Sequence, residues 1–106
     1  MSTILTQIQA IIEQRQSASP DESYTAQLLH KGEDKILKKV IEEAGEVLMA
    51  SKDGDAQHLV YEVADLWFHT MILLAHHQLS ADDVLQELAR RQGLSGLAEK
   101  AARPKE

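Results

Sequence analysis

The sequence predicts an all-α fold. Apolar residues recur at helical spacing, no segment sustains a period of two, and Gly and Pro fall mainly where boundaries are expected. Ile4, Leu5, Ile8, Ile11 and Ile12 make one helical stripe, placing a first helix over Thr3 to about Gln16. Residues 17–23 form a loop around Pro20, and Ser23 is suited to cap a short helix from Tyr24 to His30. Gly32 can end that turn in the left-handed conformation. A helix from Glu33 to about Ala50 follows, closed by Lys52, Asp53 and Gly54, and another runs from about Asp55 to His77. Ser80 with Asp83 three residues later has the pattern of a capping box, opening a helix from Ala81 to about Gln92. Gly93 and Gly96 weaken continuation, so the tail to Ala102 is at most a short helix and residues 103–106 a frayed end.

The two long helices are expected to pair antiparallel across residues 51–55. The second is apolar on too many sides for a small monomer to cover. The architecture this implies is a helical hairpin that completes a four-helix-bundle core as a homodimer. One domain spans 1–106, with its core over about 4–92 and a C-terminal tail over 93–106.

Composition narrows the function classes. A chain of 106 residues with 43% hydrophobic content can bury one modest core. No run of about 18 apolar residues is present, so no membrane partner is expected. The first residues lack the basic and apolar regions of a secretory signal, which leaves the cytoplasm as the expected location. Zero cysteines exclude disulfides, thiolate zinc sites and cysteine nucleophiles. A net charge of −6 argues against a nucleic-acid partner but not against a phosphorylated small molecule, because a bound metal inverts the local potential.

The chemistry-bearing pattern is acidic. On the helix over 33–50, Ile36, Leu37, Val40, Ile41, Ala44, Val47 and Leu48 share one arc, with Lys39, Glu42, Glu43 and Glu46 opposite and Glu43 at the border. Taken alone, that acidic cluster reads as a solvated face. The next helix changes the balance: Glu62, Asp65 and His69 form a narrow polar stripe in an otherwise apolar helix. Several carboxylates beside Leu, Val, Trp and Phe are costly unless cations neutralise them. Glu46 stands about seven residues before the turn and Glu62 about nine after it, so at ~1.5 Å rise per residue the pairs lie at similar heights. Glu43, Glu46, Glu62 and Asp65 can then converge on a hard divalent ion, for which Mg²⁺ is the expected cofactor; zinc and copper prefer imidazole or thiolate. His30, His58 and His77 read as surface or helix-end residues. His69 is either a satisfied structural histidine or a hydrogen-bond partner of a carboxylate or substrate. Trp67 and Phe68 read as core or dimer contacts.

These residues resemble those of the all-α nucleoside triphosphate pyrophosphatase superfamily. Glu42, Glu43 and Glu46 with Glu62 and Asp65 match its E-E-x-x-E and E-x-x-D signature. Ser23-Tyr24-Thr25, Leu28-Leu29, Gly32, Lys38-Lys39-Val40, Glu62 to Leu66, His69, Asp83-Val84, Leu88 and Arg90 narrow the resemblance to the phosphoribosyl-ATP pyrophosphatase family, over about residues 4–92. Ile41 is a mild departure, standing where relatives carry a small residue. The resemblance implies a hydrolase that converts phosphoribosyl-ATP to phosphoribosyl-AMP and pyrophosphate, the second step of histidine biosynthesis. It also implies Mg²⁺ on Glu43, Glu46, Glu62 and Asp65, with Glu42 in support, and a dimer-based bundle.

Hydrolysis at phosphorus needs positioning and charge neutralisation. Glu42 or Glu43 is the expected catalytic base for the attacking water. Lys35, Lys38 and Lys39 are candidates to meet phosphate oxygens, with Arg90 or Arg91 reaching from the last helix; their bland role is a solvated face with i, i+4 pairing, such as Lys39 to Glu43. Tyr24 and Thr25 either belong to the site or anchor their short helix. Two rivals remain: a house-cleaning pyrophosphatase for other nucleoside triphosphates, and a helical dimerisation module whose acidic stripe binds a basic partner.

Overall fold

The structure, a computed structural model, describes residues 3–93 together with 96, 100, 101 and 103. Among these the fold is all-helical, with α1 (Thr3–Arg15), α2 (Tyr24–Lys31), α3 (Glu33–Asp53), α4 (Ala56–His76) and α5 (Ala81–Arg91). No helix of the described residues is long and apolar enough to cross a membrane. The tail helix to Ala102 and the frayed end at 103–106 fall largely outside the described residues, of which Gly96, Lys100 and Ala101 are helical.

Caps written in the sequence set the boundaries. The Ser23 side chain accepts from the Ala26 N–H at 3.0 Å and starts α2. Gly54 takes the left-handed conformation, φ 78° and ψ 10°, and its N–H closes on the Ser51 carbonyl at 3.3 Å. Asp55 then caps α4, its Oδ1 accepting from the N–H groups of Gln57 and His58 at 3.1 and 3.2 Å. With only Gly54 and Asp55 between them, the two 21-residue helices must fold back antiparallel, and theirs is the most extensive packing in the molecule. At α5, Asp83 turns back to accept from the Ser80 N–H at 2.9 Å, the reciprocal contact of a capping box.

The core gathers Ile12, Leu28, Ile36, Met71, Ile72 and Ala75, from α1 to α4, at the end of the hairpin remote from its turn. Ala81 extends it into α5. Polar ties rim it: Gln16 Nε2 donates to the Ala75 carbonyl at 2.7 Å, the Ala81 N–H donates to Gln9 Oε1 at 3.0 Å, and His77 Nε2 meets Glu33 Oε2 at 2.8 Å. By contrast residues 51–58 are all exposed, so the hairpin tip projects beyond the core.

Two differences from the sequence reading have physical causes. Helix α3 runs to Asp53, three residues past Ala50, because Lys52 and Asp53 tolerate the last turn and Gly54 is what ends it. The buried stripe of α3 is also rotated. Ile36, Glu43 and Ala50 are the buried residues, whereas Leu37, Ile41 and Leu48 from the expected apolar arc are exposed. Val60, Tyr61 and Trp67 of α4 are exposed too.

Candidate metal centre

The antiparallel hairpin fixes the site by symmetry about its turn. Glu43 and Asp65 each stand eleven residues from Gly54, and Glu46 and Glu62 each eight, so each pair shares a level along the helices. Glu43 is only 7% exposed, in the seam between α3 and α4. One ligand atom each from Glu43, Asp65 and His69 lie within 4.8 Å of one another, an arrangement that could hold a metal ion.

Electrostatics around Glu43 follow from that burial. Desolvation pushes its carboxyl above the ordinary value, and hydrogen bonding with Asp65 adds to the shift; Lys39 opposes it. Lys39 Nζ lies 3.3 Å from Glu43 Oε1 and 3.4 Å from Glu42 Oε2. Burial pulls this ammonium down, but its hydrogen bonds and charge pairing with Glu43 outweigh burial and raise it overall. Tyr24, from α2, is raised by burial, with Lys39 opposing and Glu43 and Asp65 reinforcing.

The other expected site residues are distributed as follows. Glu62 is buried, its Oε2 3.8 Å from His58 Nε2 one turn earlier. Glu46 is exposed on α3, one turn beyond Glu43, and neither it nor Glu62 joins the group of Glu43, Asp65 and His69. Glu42 is exposed beside Lys39. Lys35 lies one turn before Lys39 on the same flank, and Lys38 is turned away by about 100°. Arg90 is engaged on its own helix, where Nε and Nη2 donate to Glu87 at 3.0 and 2.7 Å. Arg91 joins it, and the two guanidinium groups hold the Glu87 carboxyl down to about 2.

His69 proves to be a buried, doubly engaged side chain, 3% exposed. Its Nδ1 lies 2.8 Å from the Asp65 carbonyl oxygen and 3.4 Å from Asp65 Oδ1, and its Nε2 lies 2.8 Å from the Tyr24 hydroxyl. With both ring nitrogens committed, the donors left facing one another are carboxylate oxygens, a set that fits a hard cation. Tyr24 is a site neighbour that sequence alone leaves ambiguous, since nothing local marks a partner 45 residues away.

Residues 5–92 match the family described as "Phosphoribosyl-ATP pyrophosphohydrolase". The chain is 80% identical over 95% of its length to the "Phosphoribosyl-ATP pyrophosphatase" of Neisseria meningitidis serogroup C, covering 94% of that protein. It is 62% identical over 94% of its length to the relative of the same name from Chromobacterium violaceum, covering 93% of it. The one from Nitrosospira multiformis is 60% identical over 94% of this chain and 83% of its own.

Proposed function

The chain belongs to the phosphoribosyl-ATP pyrophosphohydrolase family, and on that premise we propose that it hydrolyses phosphoribosyl-ATP to phosphoribosyl-AMP and pyrophosphate, the second step of histidine biosynthesis. The observation that carries the chemistry is the meeting of buried Glu43 with Asp65 across the hairpin. Two carboxylates in one seam repel unless a cation joins them, and their hard oxygens suit Mg²⁺.

In this proposal Glu43 and Asp65 hold Mg²⁺ directly, and Glu46 and Glu62, one turn nearer the hairpin tip, complete the acidic surround. A bound Mg²⁺ neutralises triphosphate oxygens and lowers the pKa of bound water. Every other task falls to side chains. Glu42 is outside the Glu43–Asp65 contact and accepts the proton of the attacking water. Lys39, and Lys35 one turn before it, present positive charge to phosphate oxygens along one flank of α3. Lys38 lies off that flank and Arg90 is held by Glu87, so neither is given a step. We take the enzyme to be cytoplasmic, in keeping with a biosynthetic step, and to be a homodimer, because the exposed Leu37, Ile41 and Leu48 need a cover that the described residues of one chain do not supply.

The test is pyrophosphate release from phosphoribosyl-ATP, dUTP, dCTP and ITP, each with and without Mg²⁺. Phosphoribosyl-ATP should be preferred by a wide margin, and Asp65→Ala should lower its kcat/KM about a hundredfold or more while the helical signal is kept. Preference for dUTP, dCTP or ITP would assign a house-cleaning pyrophosphatase instead, and full turnover by Asp65→Ala would remove the metal centre from the mechanism.

A further inference from the structure

The Lys39 ammonium bridges two carboxylates that the proposed chemistry uses differently. Its Nζ lies 3.3 Å from Oε1 of Glu43, the buried acid of the metal centre. It also donates to Oε2 of Glu42, at 3.4 Å, the acid that takes the proton of the attacking water. The Glu43 side chain is 9% exposed, that of Lys39 26% and that of Glu42 47%, so the ammonium stands between a buried acid and a solvated one. All three belong to α3, at i, i+3 and i+4, and such pairs along one helix are weak. Lys39 is therefore held where Glu43 needs a counter-charge, by contacts that a stronger cation can displace. Glu43 faces such a claim, since one ligand atom each from Glu43, Asp65 and His69 lie within 4.8 Å of one another. A divalent ion and an ammonium drawn to the same carboxylate repel each other, and burial leaves that repulsion poorly screened.

We propose that Lys39 is a resident counter-cation exchanged for the metal: without metal it neutralises Glu43 and occupies Glu42, and with metal it leaves both for a phosphate oxygen. The inference rests on the proposed metal and nucleotide chemistry and adds an order of events to it. Glu43 is never buried without a cation. Glu42 Oε2 is freed to reach the attacking water only once the metal is in place. The displaced positive charge passes to the substrate instead of being lost to solvent. Lysine suits this task, because its charge is compact and rides on a flexible four-carbon stem. Lys35 cannot share it: at ~1.5 Å rise per residue it stands about 12 Å from Glu43 along α3.

Calorimetric titration of Mg²⁺ into metal-free protein, with no nucleotide present, tests the exchange. Lys39→Met should bind Mg²⁺ roughly tenfold more tightly than wild type, because nothing has to be displaced first. Lys39→Gln keeps a hydrogen-bond donor without the charge and should behave alike, which guards against a misfolded variant. Lys35→Met removes the same charge from the same flank and should change Mg²⁺ affinity less than about twofold. In Mg²⁺-loaded protein, inorganic pyrophosphate should bind Lys39→Met about tenfold more weakly than wild type. Equal Mg²⁺ affinities in wild type and both Lys39 variants overturn the proposal. So does a gain in Lys35→Met as large as that in Lys39→Met, which would mark a general field, and so does pyrophosphate binding indifferent to Lys39. Wild-type protein that takes up no Mg²⁺ removes the metal centre and this inference together, whereas equal affinities remove the inference alone.

Discussion

At the scale of single residues, Glu43 is a carboxyl whose environment penalises its charge. It is buried against α4 with Asp65 beside it, and only Lys39 offsets the cost. Its folded pKa is raised, so its contribution to stability is whole below the ordinary carboxylate range and is lost as pH rises through the raised value. In protein stripped of divalent ions, Glu43→Gln should therefore raise the melting temperature at pH 8, by about 1 kcal/mol or roughly 4–8 °C, and change little at pH 4. Added Mg²⁺ should raise the wild-type melt and leave that of the variant almost unmoved. Thermal melts with EDTA and with Mg²⁺ at both pH values check this, and a variant that melts lower than wild type at pH 8 contradicts it. Sequence alone brings Glu43 only to the edge of an apolar arc. It misjudges the face by placing Leu37, Ile41 and Leu48 at the centre of the buried arc, whereas all three are exposed. Of the four acidic positions, Glu43 and Asp65 do come together across the hairpin, whereas Glu46 and Glu62 do not join them. The Tyr24–His69 contact was not legible, since it spans 45 residues with no periodic signal to announce it.

At the scale of elements, the level match of Glu43 with Asp65 depends on how α3 hands over to α4. Gly54 and Asp55 do this together: the glycine reverses the chain at positive φ and the aspartate starts the next helix with two N–H bonds. Asp55→Ala leaves those two donors without their side-chain acceptor, and the expected cost is about 1 kcal/mol. Urea unfolding followed by circular dichroism should show the midpoint shift at unchanged slope. A variant as stable as wild type would show that water caps α4 equally well. Such caps are the part of the fold that local sequence states most clearly. Ser23, Gly32 and the Ser80–Asp83 pair all stand where the chain turns into or out of a helix. Helix ends that depend on tolerance rather than on a cap are less legible, which is why α3 outruns its expected end by three residues.

At the scale of the whole molecule, the chain is more open than its length requires, which is the ground for proposing that a second copy packs against it. Its radius of gyration is 15.8 Å, against about 13 Å for a compact chain of this length. The core of Ile12, Leu28, Ile36 and Ile72 does not reach the hairpin tip, where residues 51–58 are all exposed. Along that hairpin Leu37, Ile41 and Leu48 of α3 are exposed, with Ile41 73% accessible, and Leu59, Val63 and Leu66 of α4 are only half-buried. By the 100° step of a helix, the α3 residues face away from the flank of Lys39, Glu42 and Glu46, so a second hairpin can cover them without blocking the carboxylates. On the proposed dimer, two hairpins joined on this face would make the four-helix core expected from the apolar excess of α4. Light scattering at micromolar concentration should give about twice the 11.8 kDa of one chain. Ile41→Glu places a charge in the centre of that face, where burial unpaired costs several kcal/mol. It should return a monomer mass and a lower melting temperature. Its effect on turnover then depends on whether the isolated hairpin keeps Glu43 and Asp65 at one level. If Ile41→Glu remained dimeric and as stable as wild type, the surface joining two copies would have to be sought elsewhere. The apolar groove of about 280 Å³ between Trp67, Met71 and Leu88 would be the next face to probe.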